Sequence, residues 1–203
     1  MEIDRKRFFS AARADPFGGR LGQGQVDGMN AILDHWQDAL PQGDGRWLAY
    51  MLATVFHETG FTMRPLREGY GRSDAQTVAR LDEAFASGRL PSVTTPYWRA
   101  DRDGKCWFGR GLVQITHKAN YDRLGRAIGL DLVADPGLAL RMDVAVRILF
   151  FGMTEGLFTG RRLAAYFNRD REDWTGARAI VNGRDRAEAI AGYGRSFWSA
   201  LQR

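Results

Sequence analysis

Cysteine is nearly absent. Cys106 is the only one in 203 residues, so no disulfide can close within the chain. That excludes a cystine-stapled scaffold and suits a reducing compartment. Long apolar runs are missing too. The best, Trp47 to Phe56, is ten residues long and includes Thr54, against roughly 20 needed to span a bilayer. The opening Met1-Glu2-Ile3-Asp4-Arg5-Lys6-Arg7 has mixed charge and leads into no apolar signal core. The reading is therefore a protein made in the cytoplasm without a signal peptide or transmembrane segment. Lysine is scarce: Lys6, Lys105 and Lys118 are the only lysines among 29 basic residues. No internal repeat, low-complexity tract or long linker divides the chain.

Apolar residues make up 44% and charged residues 26%, an ordinary globular balance. The length fits one catalytic domain over residues 1–203, folded as two lobes sharing a cleft and working as a monomer. The formal charge is +5, carried by arginines spread along the sequence. Either a genome-wide codon bias or attraction to a polyanion accounts for them. No nucleic-acid-binding module accompanies them, so no nucleic-acid partner is expected.

Helical periodicity dominates. Asp4 to Ala14 and Gln25 to Leu40 read as amphipathic helices, and Val26, Met29, Ile32, Leu33 and Trp36 give the second its apolar stripe. A strongly apolar helix runs from Arg46 to Glu58 and is ended by Gly60. Ser73 starts another, which ends near Gly88. Further helices are expected at 118–128, 137–157, 161–167, 172–181 and from 184 onward. Pro91 to Gly111 reads as a long functional loop with at most a small β element. The fold class is mainly α, an α+β lysozyme-like arrangement with a central cleft.

His57-Glu58-Thr59-Gly60 closes the most apolar helix. A zinc-protease motif needs a second histidine at position 61, where Phe61 stands. His35, His117 and Cys106 form no ligand pattern, so neither metal nor cofactor is expected. Glu58 is either a helix-end carboxylate paired with an arginine or a used acid. Ten residues on, Glu68 lies in a Gly-flanked loop with Arg64 and Arg67. One glutamate on an apolar helix end and one in a cationic loop suit the acid/base pair of glycoside hydrolysis. An ordinary surface ion pair is the bland reading of Glu68. In Trp107 to Tyr121, a Gly-Arg-Gly turn leads into Val113-Gln114-Ile115-Thr116, whose alternation puts Gln114 and Thr116 on one face of a short strand. Tyr97, Trp98 and Trp107 are sugar-stacking candidates or core anchors.

In order along the chain, His57-Glu58-Thr59-Gly60, Glu68, Gly109-Arg110-Gly111 through Tyr121, and Ile180-Val181-Asn182-Gly183 resemble glycoside hydrolase family 19, the chitinase family, and its phage endolysin branch in particular. The resemblance implies Glu58 as general acid, Glu68 as general base, and Thr116 as a holder of the attacking water. It implies Gln114, Asn120 and Asn182 as substrate contacts and inversion at the anomeric carbon; Tyr121 and Trp107 are further substrate-binding candidates. It also implies an arginine supporting the carboxylates, for which Arg186 is the nearest candidate. Plant members carry disulfides and a tyrosine where Ala119 stands here, which leans towards an endolysin. The expected substrate is then peptidoglycan glycan strands, reached from the host cytoplasm at lysis. A chitinase on chitin oligomers and a non-catalytic glycan-binding module are the alternatives.

Overall fold

The computed structural model describes residues 2–202. Among them are seven α-helices: α1 (Arg5–Ala14), α2 (Gln23–Ala39), α3 (Gly45–Glu58), α4 (Asp74–Ala86), α5 (Lys118–Ile128), α6 (Met142–Thr154) and α7 (Ala187–Leu201). Two short strands, β1 (Leu66–Arg67) and β2 (Arg110–Gly111), pair antiparallel with Leu66 opposite Gly111 and Arg67 opposite Arg110. The protein is mainly helical with a small β element, as its patterning predicts. No helix among the described residues is long and apolar enough to cross a membrane.

Side-chain caps place the helix starts. Asp4 accepts from the Arg7 amide at 3.0 Å, Asp44 from Arg46 at 3.0 Å and Ser73 from Gln76 at 3.2 Å, each satisfying a donor that has no partner within the helix. Helix α3 is apolar all round and every residue from Leu48 to Phe56 is buried, as a helix without a polar face must be. It packs chiefly on α7 and also on α2 and α6. Phe56 meets Tyr193 edge-on at 4.8 Å and Phe197 at 5.9 Å between ring centroids. This large lobe forms one continuous core. A second, smaller core of Leu81, Trp98 and Phe108 lies under α4 and the 90–108 loop.

Four expected elements differ. The helix expected at 137–157 is a 3-10 turn, Pro136–Leu140, followed by α6, with Arg141 extended between them (φ −75°, ψ 134°). The sequence there contains two helix starts: Asp135 caps the Gly137 amide at 2.9 Å, and Arg141 bonds Asp143 at 2.8 Å in the first turn of α6. The helices expected at 161–167 and 172–181 shrink to the 3-10 turns Leu163–Ala165 and Gly176–Ile180. There the Asp173 carboxylate takes the Gly176 amide at 2.7 Å and so competes with helical hydrogen bonding. The strand expected at Val113 to Thr116 is a turn, since Gln114 has φ +51° and only Ile115 bridges back to Arg110.

Candidate active site

Glu58 is the last residue of α3, and the chain folds sharply away after it. The buried Thr59 hydroxyl donates to the Val55 carbonyl at 2.7 Å and accepts from the Met63 amide at 3.0 Å. Gly60 has φ +55°, a backbone conformation that favours glycine, and the Tyr70 hydroxyl stands where a β-carbon would point. Gly28 of α2 is pressed as closely on the Met63 carbonyl, which fixes the far side of the same turn. The carboxylate itself accepts a hydrogen bond from Arg178 Nη1 at 2.6 Å. Both partners are removed from water, with side chains 17% and 4% exposed. Arg178 Nε donates to the Asp185 carbonyl at 3.0 Å, so one guanidinium joins Glu58 to the segment before α7. Burial holds the adjacent His57 below the ordinary histidine pKa, against the raising influence of Glu58.

The supporting arginine is therefore Arg178 and not Arg186, which occupies the N-cap position of α7 and makes no bond to either glutamate. Arg178 is a basic residue inside the apolar run Ala177 to Val181, four before Asn182. That mismatch was the available signal.

Glu68 opens a 3-10 turn, Glu68–Tyr70, directly after β1. Its amide donates to the Gly109 carbonyl at 2.8 Å, and its Oε2 accepts from the Gly109 amide at 2.7 Å. Its Oε1 accepts from the Tyr97 hydroxyl at 2.5 Å. Burial and this bond to Glu68 raise the Tyr97 pKa well above the usual phenol range. Of the loop arginines Arg67 is engaged elsewhere, as is Arg80 of α4. Arg67 pairs with Asp74 at 2.7 Å, and Arg80 donates to the Gly69 and Tyr70 carbonyls. The expected cationic surround of Glu68 is thus replaced by neutral donors, while the buried cation stands at Glu58.

Gln114 and Thr116 join the Glu68 side. Gln114 Nε2 donates to the Leu66 and Gly111 carbonyls, each at 3.0 Å. A β-carbon on Gly109 would lie 3.0 Å from Gln114 Oε1 and 3.3 Å from Glu68 Oε2, so both side chains converge on that bare backbone. The Thr116 hydroxyl donates to the Gln114 carbonyl at 3.0 Å, and Asn120 Nδ2 donates to the Thr116 carbonyl at 2.6 Å. Asn182 is exposed and its side chain accepts from the Gly183 amide. It and Arg186 flank Asp185, on the Glu58 side.

Three aromatic candidates are core residues. Tyr121 is fully buried, donating to the Phe108 carbonyl at 2.8 Å and accepting from Arg110 at 3.0 Å. Burial pushes its pKa up to about 12. Trp107 is 5% exposed and bonds Asp101 at 2.8 Å. Trp98 has no exposed surface and bonds Asp82 at 2.9 Å. A ring with no open face cannot stack on a sugar. Their polar edges are satisfied inward, as buried tyrosine and tryptophan require. Arg110, fully buried, is the residue the sequence reading passed over: it bonds Asp74 at 2.6 Å and lies 3.7 Å over the Phe108 ring. Among the described residues no group of three or more His, Cys, Asp or Glu is arranged to hold a metal ion.

Residues 49–158, just over half of the chain, match the family model for glycoside hydrolase family 19, chitinase class I. That span contains Glu58, Glu68, Gln114, Thr116 and Asn120. Endochitinase B of Nicotiana tabacum is 54% identical over 156 residues, covering 61% of this chain and 45% of that protein. Chitinase 11 of Oryza sativa subsp. japonica is 56% identical over 85 residues, covering 34% and 33%. The chain spans less than half the length of these curated relatives. Among solved structures, chitinase C from Streptomyces griseus HUT6037 superposes with a TM-score of 0.57 at 18% identity, covering 98% of this chain and 76% of that one. The class IV chitinase of Zea mays gives 0.54 at 18% identity, covering 96% and 90%. At such identity the likeness shows the fold alone. On the match of its own sequence, the chain belongs to glycoside hydrolase family 19, chitinase class I.

Proposed function

We propose that the protein hydrolyses β-1,4-linked N-acetylhexosamine glycans with Glu58 as general acid and Glu68 as general base. The observation that carries this reading is the pairing of two glutamates held in unlike ways. Glu58 is half-buried against the buried Arg178, and Glu68 is set by Tyr97 and the Gly109 amide. In this scheme Glu58 gives a proton to the glycosidic oxygen as its bond to the anomeric carbon breaks. Water adds to that carbon from the opposite face and passes a proton to Glu68. The result is inversion. Gln114 meets Glu68 at Gly109 and Thr116 bonds the Gln114 carbonyl, from where they would orient that water.

Chitin is the substrate that the names of the relatives favour, since they are endochitinases. Peptidoglycan, which shares the linkage and would suit an endolysin, is the second reading. The net charge of +5 favours it, because bacterial envelopes are rich in carboxylates and phosphates. Reducing-end release from glycol chitin, measured beside turbidity loss of permeabilised Gram-negative cells, separates the two. Fragment release from glycol chitin supports the glycosidase reading. Binding to glycan without any fragment release from either substrate contradicts it.

A further inference from the structure

A cavity of about 880 Å³ lies between the 161–176 loop and the start of α7. Four arginines line it, Arg161, Arg171, Arg184 and Arg186, together with the acids Asp173 and Glu188. The acids are already engaged: Asp173 pairs with Arg171 at 2.5 Å, and Glu188 accepts from the Thr175 hydroxyl at 3.3 Å. Arg161 donates only to the neutral Tyr166 hydroxyl, at 3.1 Å. Among the described residues, the side chains of Arg184 and Arg186 make no hydrogen bond or ion pair, and both are exposed. The lining therefore carries surplus positive charge with unused donors.

The position of Arg186 sharpens this. It caps α7 at φ +56°, without a side-chain cap bond. A cation at a helix N-terminus opposes the helix dipole, and a β-carbon disfavours that backbone region. Helix stability alone would select serine or aspartate there. The cavity also adjoins the site: Arg178 bonds Glu58 with one nitrogen and the Asp185 carbonyl with another, so the 183–187 wall hangs on the guanidinium that holds Glu58.

We propose that this arginine-lined cavity binds carboxylate groups borne by the glycan, so that the substrate class is an acidic N-acetylhexosamine polymer. Guanidinium forks match carboxylates in shape as well as charge. The volume exceeds what one carboxylate fills and suits an extended acidic substituent. The inference rests on the glycosidase reading of Glu58, and its test is kept separate from that reading.

Glycol chitin is neutral and carboxymethyl-chitin is acidic, and both share the β-1,4 backbone. Their equilibrium binding is measured with Glu58→Gln, which removes turnover. Carboxymethyl-chitin is expected to bind about tenfold tighter at low salt, the worth of one or two charge-assisted hydrogen bonds. Adding Arg161→Gln and Arg184→Gln should abolish that preference. In the otherwise wild-type protein, the same pair should leave glycol chitin hydrolysis unchanged. Equal binding of the two polymers, a preference that survives the double substitution, or a parallel loss on both would overturn the inference. So would tighter binding of duplex DNA that falls with the same substitutions, since it assigns the cavity to nucleic acid. Hydrolysis of glycol chitin by the wild-type protein reports on the glycosidase reading alone.

Discussion

Helices α1, α2, α3, α6 and α7 close over one continuous set of apolar side chains, whereas the region around α4 closes over only Leu81, Trp98 and Phe108. What the smaller region lacks in carbon it replaces with polar bonds. Arg110 ties Asp74 and the Cys106 carbonyl to Tyr121 of the large core, Arg67 reinforces Asp74, and Asp82 holds Trp98. The two glutamates follow the same division. Glu58 is presented by a rigid buried helix, and Glu68 by a short strand and turn tied to Gly109 and Tyr97. A small core can thus hold a functional side chain in place when hydrogen bonds substitute for buried area.

The largest expected effect breaks the pair itself. Glu58→Gln should lower glycan hydrolysis by about 10³-fold, as loss of a general acid does. The circular dichroism spectrum should stay native, because the amide oxygen still accepts from Arg178. Activity within a few fold of wild type would remove Glu58 from the acid role.

Next comes the contrast between the lobes. Leu52→Ala in α3 and Arg110→Met in β2 should each cost about 3 kcal/mol, the first through a cavity and the second through loss of a buried guanidinium that bonds Asp74, Tyr121 and the Cys106 carbonyl. Hydrogen exchange tells them apart. Leu52→Ala should speed exchange across the whole large lobe, while Arg110→Met should speed it chiefly between residues 66 and 111. Identical exchange patterns would mean that the two regions unfold as one.

Tyr97→Phe is a finer probe. It removes one donor from Glu68 and should reduce turnover about tenfold, with a stability loss of about 1 kcal/mol. A change in substrate affinity without a change in turnover would make Tyr97 a sugar contact instead.

The smallest effect is pH-dependent. Burial works against the Asp74 charge, but its bonds to Arg67 and Arg110 outweigh that and depress its pKa below 3.8. The folded state therefore binds this proton less readily than the unfolded state. The stability that Asp74 contributes is complete above about pH 4 and is lost as pH falls through the depressed folded value. Asp74→Asn should be less stable than wild type at pH 6, and the gap should narrow as pH falls below about 4. A constant gap across that range would exclude the ion pair as the cause.

The large lobe was legible because its helices obey the 3.6-residue period and carry their own caps, as Asp4 and Asp44 do. Glu58 stood out as an acid at the end of an otherwise apolar helix. The small lobe was less legible because its stability comes from pairs distant in sequence, such as Arg110 with Asp74. Arg178 was passed over because it meets Glu58 across 120 residues. Trp98 and Trp107 read equally as stacking residues or core anchors, and Tyr121 as a substrate contact, because the sequence does not declare which way an aromatic ring faces. The break at Arg141 was hidden because apolar residues continue on both sides of it.

The proposed division between Glu58 and Glu68 is tested most directly by proton NMR of a chitooligosaccharide digest, followed from the first minutes. An acid and a base acting on opposite faces of the sugar through one water release the α-anomer first, with the β-anomer growing in only by mutarotation. Initial release of the β-anomer, or a glycosyl group trapped on Glu68, would contradict the account.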